Sequence, residues 1–148
     1  MTDKKEMNRY TWIDIRKQGI EVHFQPIYNI ADKRITALEA LFRACDGQGG
    51  YLNPEEVVRD IEAEGRSYAL DLWVIDQTCA YMPAFRKRGV KRVNVNLSPA
   101  SFVTPRLAHK ICYLMDEPEI PHHMLWLELT ECGGDIAPNL IKQAVEAL

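Results

Sequence analysis

Two glutamates and one asparagine are the residues whose types and placing point to chemistry. Glu39 lies in Ala37-Leu38-Glu39-Ala40-Leu41, Asn96 in Val93-Asn94-Val95-Asn96-Leu97, and Glu128 in Leu127-Glu128-Leu129. Each falls near the C-terminal end of a stretch that reads as a β-strand. A carboxylate with apolar neighbours on both sides is costly to bury unless it is hydrogen-bonded, paired or bound to a metal. Two carboxylates and an amide oxygen, with no His or Cys among them, suit a hard cation such as Mg2+ or Mn2+ rather than zinc. Spacing alone leaves two roles open: ligands of a cation, or a hydrogen-bonded structural set.

The elements that must position these residues follow from periodicity. A short helix is predicted over residues 7–18, ending near Gly19. Apolar and polar residues then alternate over Ile20 to Tyr28, as in a strand. A turn at Asn29 to Arg34, with Asp32-Lys33 as its tip, leads to a second strand over Ile35 to Arg43, so the two strands form an antiparallel hairpin. A glycine-bearing loop spans Cys45 to Leu52. Asn53-Pro54-Glu55-Glu56 is a helix start, with Asn53 as cap, Pro54 at the first helical position and Glu56 completing a capping box; that helix reaches Glu64-Gly65. A longer helix over residues 67–88 carries Leu70, Trp73, Val74, Thr78, Tyr81 and Phe85 at helical spacing, with Pro83 as a kink site and Gly89 as its end. Strands are predicted over residues 90–97 and 124–130, a helix over 104–116 between them, and a last helix from Pro138. Strands separated by helices imply an α/β fold with a mainly parallel sheet. Four such strands are about half of an eight-stranded (β/α) barrel, in which catalytic groups gather at the C-terminal strand ends. The expected fold is therefore an incomplete (β/α)8 TIM-like barrel whose first two strands pair antiparallel.

The motifs Phe24-Gln25-Pro26-Ile27, Glu39-Ala40-Leu41-Phe42-Arg43, Val95-Asn96-Leu97-Ser98 and Glu128-Leu129-Thr130-Glu131, in this order, resemble the signature of EAL domains. These are the cyclic-di-GMP-specific phosphodiesterases of bacterial signalling. The resemblance runs from about residue 20 to residue 148. It implies that Glu39, Asn96 and Glu128 are metal ligands, and that Glu131 steadies a loop near the site without binding the metal. It also implies that Gln25, Leu41 and Arg43 line the pocket for cyclic di-GMP, where an arginine holds a phosphate through two parallel hydrogen bonds. The implied reaction is hydrolysis of one phosphodiester bond to a linear dinucleotide, assisted by two Mg2+ or Mn2+ ions.

The family's later motifs, a double aspartate, a lysine, a further glutamate and a glutamine, do not occur in these 148 residues, so no catalytic set is complete. Near the last motif, Thr130-Glu131-Cys132 stands where Thr-Glu-Ser is common. The expectation is a lead-in over residues 1–19 and a truncated EAL domain over 20–148, inactive alone. The alternative is a non-catalytic binding or protein-interaction module in cyclic-di-GMP signalling.

Other classes fare worse. The net charge of −3, with no basic block, argues against a binder of nucleic-acid polymers. No apolar run is long enough for a membrane span, and the charged N-terminus is not a signal peptide. Four well-separated cysteines read as reduced thiols, and with them the location reads as cytoplasmic. His122-His123 reads as a solvated loop pair, His23 as a strand residue, and Cys45 and Cys132 as small buried side chains near the pocket mouth. Half a barrel leaves two unpaired sheet edges, and the inner faces, including Phe24, Leu41, Val95 and Leu127 or their alternating neighbours, lose the opposite wall. Edge-to-edge homodimers, swapped elements or precipitation are the expected result.

Overall fold

A computed structural model of the chain describes residues 9–116, 118–130 and 136–148. Strands β1 (Ile20–Asn29) and β2 (Arg34–Ala44) form the antiparallel hairpin, with a register shift at Ile27/Tyr28. Its turn is built by the Asn29 side chain, whose Oδ1 accepts from the backbone N–H of Ala31 at 2.9 Å and of Asp32 at 3.1 Å. Lys33 takes the left-handed conformation, φ 52°, that closes the turn.

From β2 the chain passes through α2 (Pro54–Ala63) and α3 (Ser67–Lys87) to β3 (Arg92–Leu97). It then passes through α4 (Pro99–Phe102) and α5 (Pro105–Met115) to β4 (Leu125–Leu129) and α6 (Pro138–Glu146). The sheet order is β1-β2-β3-β4, with β2, β3 and β4 mutually parallel. Four strands with helical crossovers are about half of a (β/α)8 barrel.

Successive strand residues point to opposite faces. Leu38, Ala40, Phe42 and Ala44 of β2 and Val93, Val95 and Leu97 of β3 are buried in one core, with Val57 and Ile61 of α2, Val74, Ile75 and Met82 of α3, and Leu107 and Ile111 of α5. The helices cover that face of the sheet. The other face carries the polar residues.

Local differences from the sequence reading have identifiable causes. Helix α1 (Trp12–Gln18) starts later than expected because Thr11 caps it, its side chain accepting from Asp14 N. Residues 7 and 8 lie outside the described residues. The backbone just before α1 is held by α2: Asp60 Oδ2 accepts from Arg9 N at 2.9 Å and Tyr10 N at 3.1 Å, and Glu64 Oε2 from Trp12 N at 2.8 Å. Asn53 does cap α2, accepting from Glu55 N, but Glu56 lies 3.7 Å from Arg9 instead of completing a capping box. Helix α3 runs on through Pro83. Helix α4, a single turn after the Ser98-Pro99 break, exists because the Ser98 side chain caps it at Ser101 N. Met124 belongs to a 3-10 turn, His122–Met124, so β4 begins at Leu125.

The same Ser98 is locked to α3. Buried Asp71 accepts from Ser98 N at 3.0 Å and from Ser98 Oγ at 2.6 Å, and Ser98 Oγ lies 2.7 Å from Ser101 Oγ. Burial pushes the Asp71 carboxyl above its ordinary range, and the hydrogen bonds from Ser101 and Ser98 pull it back in part. This contact fixes where the chain turns after β3. Asp71→Ala would leave the buried Ser98 N–H without its acceptor, at an expected cost of about 1–3 kcal/mol in unfolding free energy by urea denaturation. A denaturation midpoint equal to that of the unsubstituted chain would show that the contact contributes nothing.

Candidate functional site

Strand register brings the candidate residues together on the face that the described helices leave uncovered. Gln25 of β1 is level with Glu39 of β2, Glu39 with Asn94 of β3, and Asn94 with Trp126 of β4. Two residues further along, His23 is level with Leu41, and Asn96 with Glu128. Side chains two apart on a strand share a face, so Gln25, Glu39, Leu41, Arg43, Asn94, Asn96 and Glu128 all stand on the side away from the helices.

Two hydrogen bonds tie this row together. Asn96 Nδ2 donates to Glu39 Oε1 at 3.1 Å, and Asn94 Nδ2 donates to Glu128 Oε1 at 2.5 Å. Strand β3 thus lends one amide to the carboxylate on each side of it. With its nitrogen engaged on Glu39, Asn96 keeps its carbonyl oxygen for another donor or for a cation. Glu39, Asn96 and Glu128 therefore share one face and are linked through β3. Among the described residues no three His, Cys, Asp or Glu side chains cluster closely enough to hold a metal ion. A cation here would draw on two carboxylates and amide oxygens, a donor set that fits Mg2+ or Mn2+. Glu131 and Cys132 lie outside the described residues.

Asn94 is the residue that sequence reasoning missed. It is only 6% exposed, and its Oδ1 is buried without a hydrogen-bond partner among the described residues. The signal was present in the strand itself, since Asn94 and Asn96 are two apart and so must share a face.

The residues expected around a dinucleotide flank Glu39. Gln25 is exposed beside it, and Leu41 is half-buried on the next row. Half-buried Arg43 is level with Glu21, and its Nη1 donates to Phe42 O at 2.7 Å. Beyond them lies a cluster that sequence reading did not foresee. Tyr51 OH donates to Glu21 Oε2 at 2.8 Å, His23 Nε2 lies 3.0 Å from the same oxygen, and the His23 and Tyr51 rings meet edge to face at 5.0 Å. The hydrogen bonds from His23 and Tyr51 hold the Glu21 carboxyl below the usual carboxylate range. Half-buried Cys45 approaches this cluster, its Sγ 4.0 Å from Glu21 Oε1.

Of the residues expected on the inner face, with their alternating neighbours as the alternative, Leu41 stands on the uncovered face and the other three on the helix side. Phe24 packs on the helix side, its ring 4.8 Å from Phe85 and 5.5 Å from Tyr81 of α3, and Val95 is fully buried in the core. Leu127, adjacent to Glu128, is also on the helix side. The uncovered face is mostly polar around Glu39. Besides Leu41 it carries Trp126, 50% exposed, with the Arg92 guanidinium 4.5 Å from its ring centre and its Nε1 donating to His123 O at 3.1 Å. His122 and His123 are exposed in the turn before β4, at the opposite end of that strand from Glu128.

The family model described as EAL domain matches residues 11–145. The protein y4lL of Sinorhizobium fredii, itself uncharacterized, is 32% identical over 117 residues, 79% of this chain and 14% of that protein. The cyclic di-GMP phosphodiesterase NbdA of Pseudomonas aeruginosa is 29% identical over 119 residues, 79% of this chain and 15% of that protein. The chain thus spans about a seventh of the length of these curated relatives. The FimX EAL domain of Xanthomonas citri, solved in complex with c-diGMP, matches with a TM-score of 0.72 at 20% identity, over 90% of this chain and 52% of that chain. That likeness is one of fold.

The two carboxylates differ in what their loss exposes. Glu39→Ala frees the amide of exposed Asn96, which water can serve. Glu128→Ala leaves the amide of buried Asn94 without an acceptor, at an expected cost of about 1–3 kcal/mol. Urea unfolding of the two variants tests this order. A larger loss for Glu39→Ala would contradict the assigned partners.

Proposed function

The chain belongs to the EAL domain family, and from that premise we propose that its uncovered sheet face forms part of a cation-assisted cyclic-di-GMP phosphodiesterase site. The observation that carries the proposal is the paired arrangement of Glu39 with Asn96 and Glu128 with Asn94 on one face. A relative that aligns over most of the chain is named as a cyclic di-GMP phosphodiesterase, which supports the substrate class.

In this reading Glu39, Glu128 and the carbonyl oxygen of Asn96 hold the cation, Mg2+ or Mn2+. When bound, the cation supplies an acidified water and offsets charge on the leaving oxygen. The rest of the work belongs to the chain. The amide of Asn96 keeps Glu39 from swinging into solvent. Gln25 and Leu41 border the space over Glu39, and Arg43 has guanidinium N–H groups to spare for a phosphate once Nη1 is engaged on Phe42 O. Glu131 is assigned the loop-steadying role. Two carboxylates bring two negative charges, and the 148 residues contain no consecutive aspartates. These residues alone are therefore assigned binding without efficient turnover. We place the chain in the cytoplasm, on its four well-separated cysteines.

A second reading, a binding or interaction module, is favoured by one observation. Among the described residues strands β1 and β4 are the ends of the sheet, and half-exposed Trp126 stands on β4 itself. Edge strands with unpaired backbone groups invite pairing with a second copy.

Two measurements test these assignments. In Mn2+, the purified chain is expected not to linearise cyclic di-GMP above background by product chromatography. In Mg2+, nucleotide-induced changes in amide NMR spectra should centre on Gln25, Glu39, Leu41 and Arg43. Changes scattered elsewhere, or none, would remove the substrate assignment; turnover abolished by Glu39→Ala would show that these residues suffice for catalysis. Light scattering after size exclusion should report a dimer or larger species, shifted toward monomer in Trp126→Lys. A sharp monomer peak for the unsubstituted chain would eliminate self-association.

A further inference from the structure

Asn94 is the least explained polar residue on the site face. Its Cα is level with Glu39, it precedes Asn96 by two residues, and its amide nitrogen lies 2.5 Å from Glu128 Oε1. It therefore stands between the two carboxylates. Exchanging its amide oxygen and nitrogen would set a carbonyl against a carboxylate, two acceptors with no proton between them, so the orientation is fixed. Its oxygen is thereby the orphan: buried, and without a hydrogen-bond partner among the described residues.

Buried acceptors are rarely left unmatched. Neither neighbouring side-chain donor on this face meets it: Trp126 Nε1 donates to His123 O, and Asn96 Nδ2 hydrogen-bonds Glu39. Among the described residues no side chain supplies the donor, so a species that enters the site can supply it. A bound cation carries waters whose hydrogens point outward, and such a water supplies the required donor.

We propose that Asn94 is a positioning residue of this site, its amide nitrogen holding the Glu128 carboxylate and its carbonyl oxygen accepting from a water on the bound cation. The proposal rests on the cation site assigned above to Glu39, Asn96 and Glu128. The side chain suits the task. Aspartate would set a third carboxylate against Glu128, alanine would offer neither donor nor acceptor, and serine would not reach as far.

Mn2+ binding to the chain, read by water-proton relaxation, tests this in the unsubstituted chain, Glu39→Ala and Asn94→Ala. Loss of a residue that orients a metal ligand weakens affinity by about 10–100-fold, and that loss is expected for Asn94→Ala with its amide NMR dispersion intact. If Asn94→Ala does not fold, the unsubstituted chain decides: Mg2+ should shift the Asn94 side-chain amide resonances, and silence there would overturn the proposal. A purely structural Asn94 would lower thermal stability in Asn94→Ala yet leave Mn2+ affinity unchanged. Unchanged affinity in Asn94→Ala, with binding lost in Glu39→Ala, would overturn the role of Asn94 and leave the cation site standing. Equal Mn2+ binding by the unsubstituted chain and Glu39→Ala would overturn the cation site and, with it, the proposal.

Discussion

Helices cover one face of the sheet, and the burial of Leu38, Ala40, Phe42, Val93, Val95 and Leu97 on that face sets the register of β2 and β3. Because side chains alternate with a period of two, a slip by one residue would turn Glu39, Asn94 and Asn96 toward the helices and expose the core. Burying each of Leu38, Phe42, Val93, Val95 and Leu97 contributes about 1.5–3 kcal/mol relative to leaving it exposed, so such a slip is strongly disfavoured. The site needs no separate device to bring its residues together. Glu39, Asn94 and Asn96 occupy the positions left over once the apolar residues have turned to the helices, and β4 adds Glu128 through its pairing with Asn96.

Within that frame the polar residues organise one another. Asn94 and Asn96 sit on the middle strand of three, so each reaches a carboxylate on a different neighbour, Glu128 on one side and Glu39 on the other. An amide between carboxylates donates a hydrogen bond without adding charge, and it keeps an oxygen in hand. Asn96 keeps its oxygen on an exposed residue, where water can serve it; Asn94 keeps its oxygen buried. The two asparagines are thus alike in sequence context and unlike in what their free oxygens require.

Much of this was legible in the residues. The order of strands and helices followed from period-2 and period-3.6 patterns, and the Asn53-Pro54 helix start from cap chemistry. Glu39, Asn96 and Glu128 stood out as polar residues in apolar strands. What escaped was parity between strands. The alternation of Ile20, Val22 and Phe24 shows that they share a face, but which face depends on pairing with β2, and pairing Phe24 with Ala40 turns it toward α3. The role of Asn94 escaped because its partner is 34 residues away and on another strand. Helix α4 escaped because it is one turn long and rests on the Ser98 cap and its contact with Asp71, neither of which leaves a periodic trace.

The antiparallel entry of β1 has a consequence that a wholly parallel sheet would lack. A strand running against its neighbour delivers its first residues to the end where β2 delivers its last, so Glu21 and His23 arrive beside Arg43 and Leu41. The C-terminal rim of β2 is thereby lined from two directions, and Tyr51, returning in the loop after β2, closes on Glu21 and His23 from above. That cluster keeps the Glu21 carboxyl ionised more readily than a free glutamate, with His23 and Tyr51 as its donors. Arg43 spends one guanidinium nitrogen on its own strand, at Phe42 O. With Glu21 drawn toward His23 and Tyr51, β1 forms a second wall of that rim, and Gln25 is its residue level with Glu39.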